Sequence, residues 1–151
     1  MILGTQDKEF VRLVKLVEPL IDQHDLVVQL GHTKYTNNKI KLLKYIDHQQ
    51  FSDYLQWCDI VITHGGVGSI MQALKYHKKV IAYSRLKQYY EHQNDHQKEI
   101  VNIFSCNNFI INGDNLNNLR DAIDNIGDFK PDSFISNNIN FVNFIKSLID
   151  D

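Results

Sequence analysis

The stretch Asp59-Ile60-Val61-Ile62-Thr63-His64-Gly65-Gly66-Val67-Gly68-Ser69-Ile70-Met71-Gln72-Ala73-Leu74 decides the fold. Its apolar run Ile60–Thr63 predicts a buried strand, and three glycines in four positions follow directly. Ser69 is a favourable N-cap residue, and the apolar residues after it have helical spacing, so we predict a helix from Ser69 to Tyr76. A strand that passes through a glycine-rich turn into a helix is typical of a βα unit.

The same alternation extends along the chain in both directions. Further apolar runs predict strands at Ile2-Leu3, Leu26–Leu30, Ile40–Ile46, Val80–Tyr83 and Phe109–Ile111. Segments of helical spacing predict helices from about Asp7 to Asp22, His96 to Phe104, Leu116 to Ile126 and Ile139 to Ile149. Asn115 is the expected cap of the fourth helix, and Gly127 its expected stop. The pattern predicts one α/β domain around a buried parallel sheet.

Composition narrows the class of protein. The 151 residues are 43% hydrophobic and 23% charged, which fits one packed domain. Sixteen basic against eighteen acidic residues give a net charge of −2, so charge does not favour nucleic acid or an anionic membrane as a partner.

We expect both cysteines, Cys58 and Cys106, to be reduced thiols. The opening residues are too polar for a signal peptide, and no apolar stretch reaches the roughly 20 residues of a membrane span. We therefore expect a soluble, cytoplasmic chain.

The glycine-rich turn predicts an anion site. Backbone N–H groups and a helix N-terminus converge there, as phosphate binding requires, and His64 could donate a further hydrogen bond. The turn lacks the Lys-Ser/Thr ending of a Walker loop, and Met71 stands where a dinucleotide fingerprint has Gly or Ala. ATPase and NAD-binding functions are therefore disfavoured. The alternative is that the glycines only make a tight turn.

A second polar cluster follows the strand Val80–Tyr83 and covers residues 85–97. Ligands in open parallel sheets lie outside the carboxyl ends of strands, so this cluster and the glycine-rich turn should face one crevice. Asp95, His96 and Gln97 offer donors and acceptors that suit a polyhydroxylated ligand. The alternative is that Asp95 only caps the helix. His92 and His96 have a metal-ligand spacing, but Gln93 replaces the Glu of a HExxH site, so we expect no metal.

These residues resemble the C-terminal, donor-binding domain of family 28 glycosyltransferases. The resemblance is carried by the glycine-rich turn and by Glu91-His92 with Asn94-Asp95-His96-Gln97. Gly4-Thr5-Gln6, Gln29–Thr33 and the approach from Phe51 to His64 extend it over most of the chain. It is strongest toward small single-domain subunits of split UDP-sugar transferases, which act in dolichol-linked glycan, exopolysaccharide or capsule synthesis. The resemblance implies a Rossmann-like parallel sheet flanked by helices, with residues 1–151 forming one GT-B half-domain.

The resemblance also implies the site residues. Gly66, Val67, Gly68 and Ser69 would hold the diphosphate of a UDP-sugar, and His96 and Gln97 the donor sugar's hydroxyls. The full implied donor site is Gly4, Thr5, Gly65, Gly66, Val67, Gly68, Ser69, Gln72, Arg85, Glu91, Asp95, His96 and Gln97. Gln72 stands where many members have a Glu that accepts hydrogen bonds from the ribose. That difference would weaken ribose binding by about 1–2 kcal/mol.

The implied activity is inverting transfer of a hexosyl or N-acetylhexosaminyl group from a UDP-sugar to a lipid-linked glycan acceptor. No metal and no cofactor beyond the donor substrate are implied. One half-domain needs a second, membrane-anchored subunit to complete the site, which would hold the chain at the cytosolic membrane face. His64 and His92 are the internal candidates for the catalytic base, and a base from the partner is equally open.

Two points stay open at this stage. The predicted helix 139–149 is apolar on more than one face, which suits either docking to the partner or packing on the chain's own sheet. Gln72 and the missing acceptor half support an alternative function, a non-catalytic nucleotide-sugar-binding or regulatory module. A structural α/β adaptor that binds no UDP is the third reading.

Overall fold

The computed structural model describes residues 1–134. Its helices are α1 (Val11–Val17), α2 (His48–Trp57), α3 (Val67–Lys75), α4 (His96–Cys106) and α5 (Leu119–Asp124). Its strands are β1 (Val27–Gln29), β2 (Lys41–Leu43), β3 (Ile60–His64), β4 (Lys79–Tyr83) and β5 (Ile111–Asn112). Short 3-10 helices cover Glu18–Leu20, Lys87–Tyr89, Gly113–Asn115 and Ile126–Asp128. The predicted helix Ile139–Ile149, with its docking role, lies outside the described residues.

All the strand pairs are parallel. β1 pairs with β2, and β3, β4 and β5 pair in that order. Ile2 joins the two groups, because it forms isolated parallel bridges with Gln29 of β1 and Thr63 of β3. The order across the molecule is β2, β1, Ile2, β3, β4, β5, which is the strand order of a Rossmann-like fold. The α/β, Rossmann-like prediction is confirmed.

The topology of the sheet determines where a ligand-binding crevice lies. From Ile2 the chain moves outward to β1 and β2, then crosses back through α2 to β3 on the other side of Ile2. The direction of winding therefore reverses between Leu3 and His64, at the carboxyl ends of the two central segments. Ligands of open α/β sheets bind at this switch point, where adjacent loops diverge to opposite faces.

Helices cover both faces of the sheet. On one face, buried side chains of α2, α3 and α4 pack with β3 and β4, among them Leu55, Ile70 and Phe104. On the other face, α1 and α5 pack through residues such as Leu13 and Leu119. This two-sided burial explains why the central strands read as continuous apolar runs rather than as alternating patterns.

The predicted start of α3 is wrong. The helix begins at Val67, two residues earlier than expected, and its N-cap is Gly66 rather than Ser69. No side chain caps it. Glycines therefore carry the chain from β3 into the first helical turn, and the N–H groups of that turn stay unbound by side chains.

The predicted first and fourth helices are too long. Instead of starting near Asp7, α1 starts at Val11, because the Phe10 N–H donates to the Thr33 hydroxyl (3.0 Å) and Phe10 is not helical. Pro19 lies in the 3-10 helix that follows α1, where its missing N–H cannot continue the α-helical hydrogen bonds. Asn118, and not Asn115, caps α5. Gly127 lies within a 3-10 helix and does not end α5.

Helix α2 was not predicted from the sequence. Asp47 caps it by accepting from the Gln50 N–H (2.8 Å), and Leu55 faces the core. The spacing of Phe51, Tyr54 and Leu55 after a capping Asp was the available signal. The strand runs were placed correctly, although β1 and β2 are three residues each and β5 is shifted to Ile111–Asn112.

Candidate functional site

The turn after β3 presents unbound backbone donors. The Ile70 N–H makes the first bond of α3 to the Gly66 carbonyl (3.1 Å). The N–H groups of Val67, Gly68 and Ser69 precede it, and within residues 1–134 they have no backbone acceptor. These donors lie at the positive end of the α3 dipole. An added Cβ on Gly68 would meet no atom within 4 Å, so the turn is open to its surroundings there.

The ring of His64 lies between two glycines. A Cβ on Gly4 would lie 2.6 Å from the His64 Cε1, and a Cβ on Gly66 would collide with its Nε2. Gly4 also has φ +80°, which favours glycine. The His64 ring therefore lies between the first loop, which begins at Gly4, and the glycine-rich turn, and it keeps the two apart. Gly65 is buried on the other side, where its Cβ would lie 2.9 Å from Gln97 and from Val101.

His64 is neutral at physiological pH. Burial, reinforced by the Arg85 guanidinium, lowers its pKa from 6.5 to about 4. A neutral imidazole keeps one donor and one acceptor nitrogen. It does not add a positive charge beside the glycine-rich turn.

Stability should fall in acid because of this ring. The unfolded imidazole takes up a proton below about pH 6.5, whereas the folded one does so only near pH 4, so the unfolded state binds more protons between these values. The free energy of unfolding should drop across this window, by about 3 kcal/mol from His64. Urea titrations at pH 6.5 and pH 4 should show a clearly smaller drop in His64→Gln. The exposed His77 provides the control, and an equal reduction in His77→Asn would contradict the assignment.

A cleft of about 270 Å³ opens at the switch point. Among its lining residues are Gly4, Thr5, His64, Gly66, Gly68 and Ser69, six of the residues predicted for the site. The opposite wall is formed by Tyr45 and Ile46, from the segment between β2 and α2, and by Phe51 of α2. One wall thus offers backbone donors and the other an apolar and aromatic surface.

Sequence reasoning missed this second wall and also missed Gln29, another residue that lines the cleft. Tyr45 and Ile46 are the last two residues of the apolar run Ile40–Ile46, which was interpreted only as a strand. Gln29, at the end of β1, is 6% exposed, and its side-chain amide bonds to Gly4. A polar residue at the end of a buried strand was the available signal.

Arg85 is a buried structural anchor. Its side chain is 1% exposed, and the guanidinium donates to the carbonyls of Leu3 (2.7 Å) and Lys8 (2.8 Å) and, at 3.3 Å, to those of Glu9 and Glu91. It also lies over the Phe10 ring. Burial lowers its pKa to about 10, so the group remains charged. Its Nη donors hold the first loop against the segment after β4.

Glu91 is likewise occupied by neighbouring residues. Its carboxylate accepts from the Arg12 guanidinium at both oxygens (3.1 and 2.9 Å) and from the Leu86 N–H (3.0 Å). Arg12 also donates to the Ser84 carbonyl (2.6 Å). This bidentate pair fastens α1 to the segment after β4.

Asp95 does not cap α4. No side-chain cap bond is present at that helix, and the Asp95 carboxylate instead accepts from the Lys87 N–H (2.8 Å). Gln97 accepts from the Arg85 N–H (3.1 Å) through its Oε1 and packs on Gly65. Both side chains shape the segment between β4 and α4.

The two predicted histidines of this segment differ in surroundings. His92 Nε2 lies 2.8 Å from the Gln6 amide, which links this segment to the first loop. His96 Nδ1 lies 3.3 Å from a Glu99 oxygen, and its Nε2 is buried with no hydrogen-bond partner among the described residues. A buried imidazole nitrogen without a partner suits a ligand group.

The structure separates the predicted residues into two groups. Six line the cleft, and Gln72 lies one helical turn beyond Ser69 on α3. Gly65 and Val67 belong to the glycine-rich turn but do not line the cleft. The remaining predicted residues belong to the segment after β4 and do not line the cleft either: Arg85, Glu91, His92, Asp95, His96 and Gln97. Within residues 1–134, no cluster of three His, Cys, Asp or Glu side chains is placed to hold a metal, and no helix has the length and apolarity to span a membrane.

Comparisons with known proteins identify the family of the chain. The family model described as "Glycosyltransferase family 28 C-terminal domain" matches residues 1–151. The chain is 26% identical over 122 residues to a protein of Debaryomyces hansenii named UDP-N-acetylglucosamine transferase subunit ALG13. The match covers 80% of this chain but 57% of that relative, so the chain spans little more than half the relative's length. No solved structure matches the chain.

Proposed function

Because the chain belongs to the family of the glycosyltransferase family 28 C-terminal domain, we propose that it binds a UDP-sugar in the switch-point cleft as the donor subunit of a transferase. One observation carries the proposal. The cleft joins an aromatic wall to the N-terminus of α3, where the first three backbone N–H groups have no acceptor within residues 1–134. A nucleoside diphosphate has the matching parts, an anionic group and a flat base.

The diphosphate belongs at the glycine-rich turn. The N–H groups of Val67, Gly68 and Ser69 and the dipole of α3 stabilise negative charge there. Gly68 leaves the approach open, and Thr5 offers a hydroxyl from the facing first loop. These donors also assist the chemical step, because they stabilise the negative charge that the diphosphate gains as it leaves the sugar.

The base belongs against the opposite wall. The Tyr45 ring is held by His32, whose nitrogens lie 3.2 Å from the Tyr45 hydroxyl, and His32 Nδ1 is 2.9 Å from the Gln6 carbonyl. Ile46 and Phe51 extend the apolar surface. An aromatic ring fixed in this way can stack on a pyrimidine at little entropic cost.

The donor sugar belongs toward the segment after β4. His96 has a buried Nε2 without a partner among residues 1–134, and Gln97 uses only its Oε1 in the contact with Arg85. Both can therefore donate or accept toward sugar hydroxyls. The Gln6 contact of His92 brings this segment beside the first loop.

The reaction that fits is transfer with inversion. The acceptor hydroxyl attacks the anomeric carbon, the bond from that carbon to the phosphate oxygen breaks, and UDP leaves with the electron pair. A base takes the hydroxyl proton. Because its pKa is about 4 and its ring is enclosed by Gly4 and Gly66, His64 is poorly suited to this role. His92 or a residue of the partner is better suited.

A partner subunit completes the proposed enzyme. The relative is named as a transferase subunit, and this chain corresponds to little more than half its length. An inverting transferase needs an acceptor surface opposite the donor, which one half-domain does not provide. We place that surface, with recognition of a lipid-linked glycan, on a membrane-anchored partner that holds this chain at the cytosolic face.

A non-catalytic nucleotide-sugar-binding module is the second candidate. Gln72 carries no charge with which to hold the ribose hydroxyls, and its side chain has no hydrogen-bond partner within residues 1–134. Such a module would bind UDP but show no turnover with any partner subunit. Transferase assays of the co-expressed complex therefore separate it from an enzyme.

Calorimetric titration of the full chain with UDP and ADP tests the claim that both candidate functions share, namely that the chain binds UDP. We expect UDP to bind, and to bind more tightly than ADP because the base meets a fixed wall. Gln72→Glu should tighten UDP binding about fivefold, since a carboxylate forms stronger hydrogen bonds with ribose hydroxyls. Gln56→Glu, an exposed change of equal charge at the far end of α2, is the matched control. No heat with either nucleotide would reject the proposal and favour the structural adaptor.

A further inference from the structure

Gln29 holds the two walls of the cleft together. Its Oε1 accepts from the Gly4 N–H (3.1 Å), and its Nε2 donates to the Gly4 carbonyl (3.0 Å). The same Nε2 donates to the Lys44 carbonyl (3.2 Å). Gly4 begins the loop on the phosphate side, and Lys44 directly precedes Tyr45 on the base side. One buried amide therefore bonds to both walls.

Only an amide side chain can make this set of contacts. Gly4 presents both its donor and its acceptor, and Lys44 presents an acceptor, so the side chain must supply one acceptor and two donors. Glutamate lacks the donors, and an apolar side chain would leave all three backbone groups without their bonds. The closeness of Gly31, where a Cβ would collide with the Gly4 carbonyl, leaves little room for another arrangement.

We propose that Gln29 is a positioning residue for the donor nucleotide, because it sets the distance between the glycine-rich diphosphate side and the Tyr45 side of the cleft. The inference rests on the proposed function. Gln29 itself lines the cleft, but its side-chain amide is bonded to the backbone of Gly4 and Lys44, so it acts on the ligand through Gly4 and Tyr45. A ligand that spans both walls gains from the correct spacing, whereas a fragment that binds one wall does not.

Fragments of the ligand give the test. UDP, uridine and pyrophosphate are titrated into the full chain by NMR, with wild type and Gln29→Met compared. UDP affinity should fall at least tenfold in the variant, while the affinities for uridine and pyrophosphate change less than threefold. Equal losses for all three ligands, or an unchanged UDP affinity, would overturn the proposal.

A matched variant accounts for general loss of packing. Thr33 is 4% exposed and accepts one buried bond from the Phe10 N–H, but it does not line the cleft. Thr33→Val should leave the ratio of UDP to fragment affinity as in wild type, and the same selective loss there would overturn the proposal.

If Gln29→Met does not fold, Gln29→Glu, which keeps the shape and the acceptor, decides by the same criteria. Wild type that binds no UDP would instead reject the proposed function.

Discussion

Gly68→Val should reduce UDP affinity about 100-fold or more while leaving the protein as stable as wild type. Among residues 1–134, a Cβ at Gly68 meets no atom within 4 Å, and Gly68 does not have a positive φ, so valine fits this part of the fold without a clash. Valine is no worse than glycine in a helix. The new methyl groups, however, project beside the free N–H groups that we assign to the diphosphate. Calorimetric titration and urea unfolding on the same samples measure both effects.

Gly127→Val is the matched control for that substitution. Gly127 also has open space around its Cβ position, but it lies in the 3-10 helix Ile126–Asp128, outside the cleft. The Gly127→Val variant should bind UDP as wild type does. An undiminished affinity in Gly68→Val would place the diphosphate elsewhere.

Arg85→Met should cost about 3–5 kcal/mol of unfolding free energy, the largest stability loss that we expect from a single substitution. The guanidinium bonds to four backbone carbonyls from two segments, and methionine would leave these acceptors without donors. The charge that holds the first loop against the segment after β4 would also be lost. Urea unfolding at pH 7 measures the change.

Arg120→Met separates this effect from loss of an arginine in general. Arg120 is only partly buried, and its guanidinium makes one bond, to the Pro19 carbonyl (2.7 Å). We expect a loss of less than about 1 kcal/mol. Equal losses in the two variants would show that the buried contacts of Arg85 contribute little.

Local patterns were sufficient to predict the strand, the glycine-rich turn and the helix on which the proposed site is built. The apolar run of β3, the glycines and the helical spacing after them are all within sixteen residues, so each leaves a direct signature in the sequence. The error at Ser69 arose because a glycine-rich turn can itself be the first turn of a helix. Side-chain capping rules do not describe that case.

Contacts between distant segments could not be predicted. The family resemblance implied a donor role for Arg85 and Glu91, but nothing local in the sequence shows that Arg85 bonds to Leu3 and Lys8, more than 75 residues earlier. The aromatic wall was missed for the same reason. Tyr45 faces Gly4 only because Ile2 joins β1 to β3 across the sheet.

Backbone amide NMR of the ¹⁵N-labelled full chain during titration with UDP locates the bound nucleotide residue by residue. Binding in the switch-point cleft predicts the largest shifts at Gly4, Thr5 and Tyr45 and along residues 66–69, with small shifts around Trp57, at the end of α2 near the amino end of β3. Shifts centred on the separate groove lined by Arg12, Lys98 and Asn102, or no shifts at saturating UDP, would contradict it.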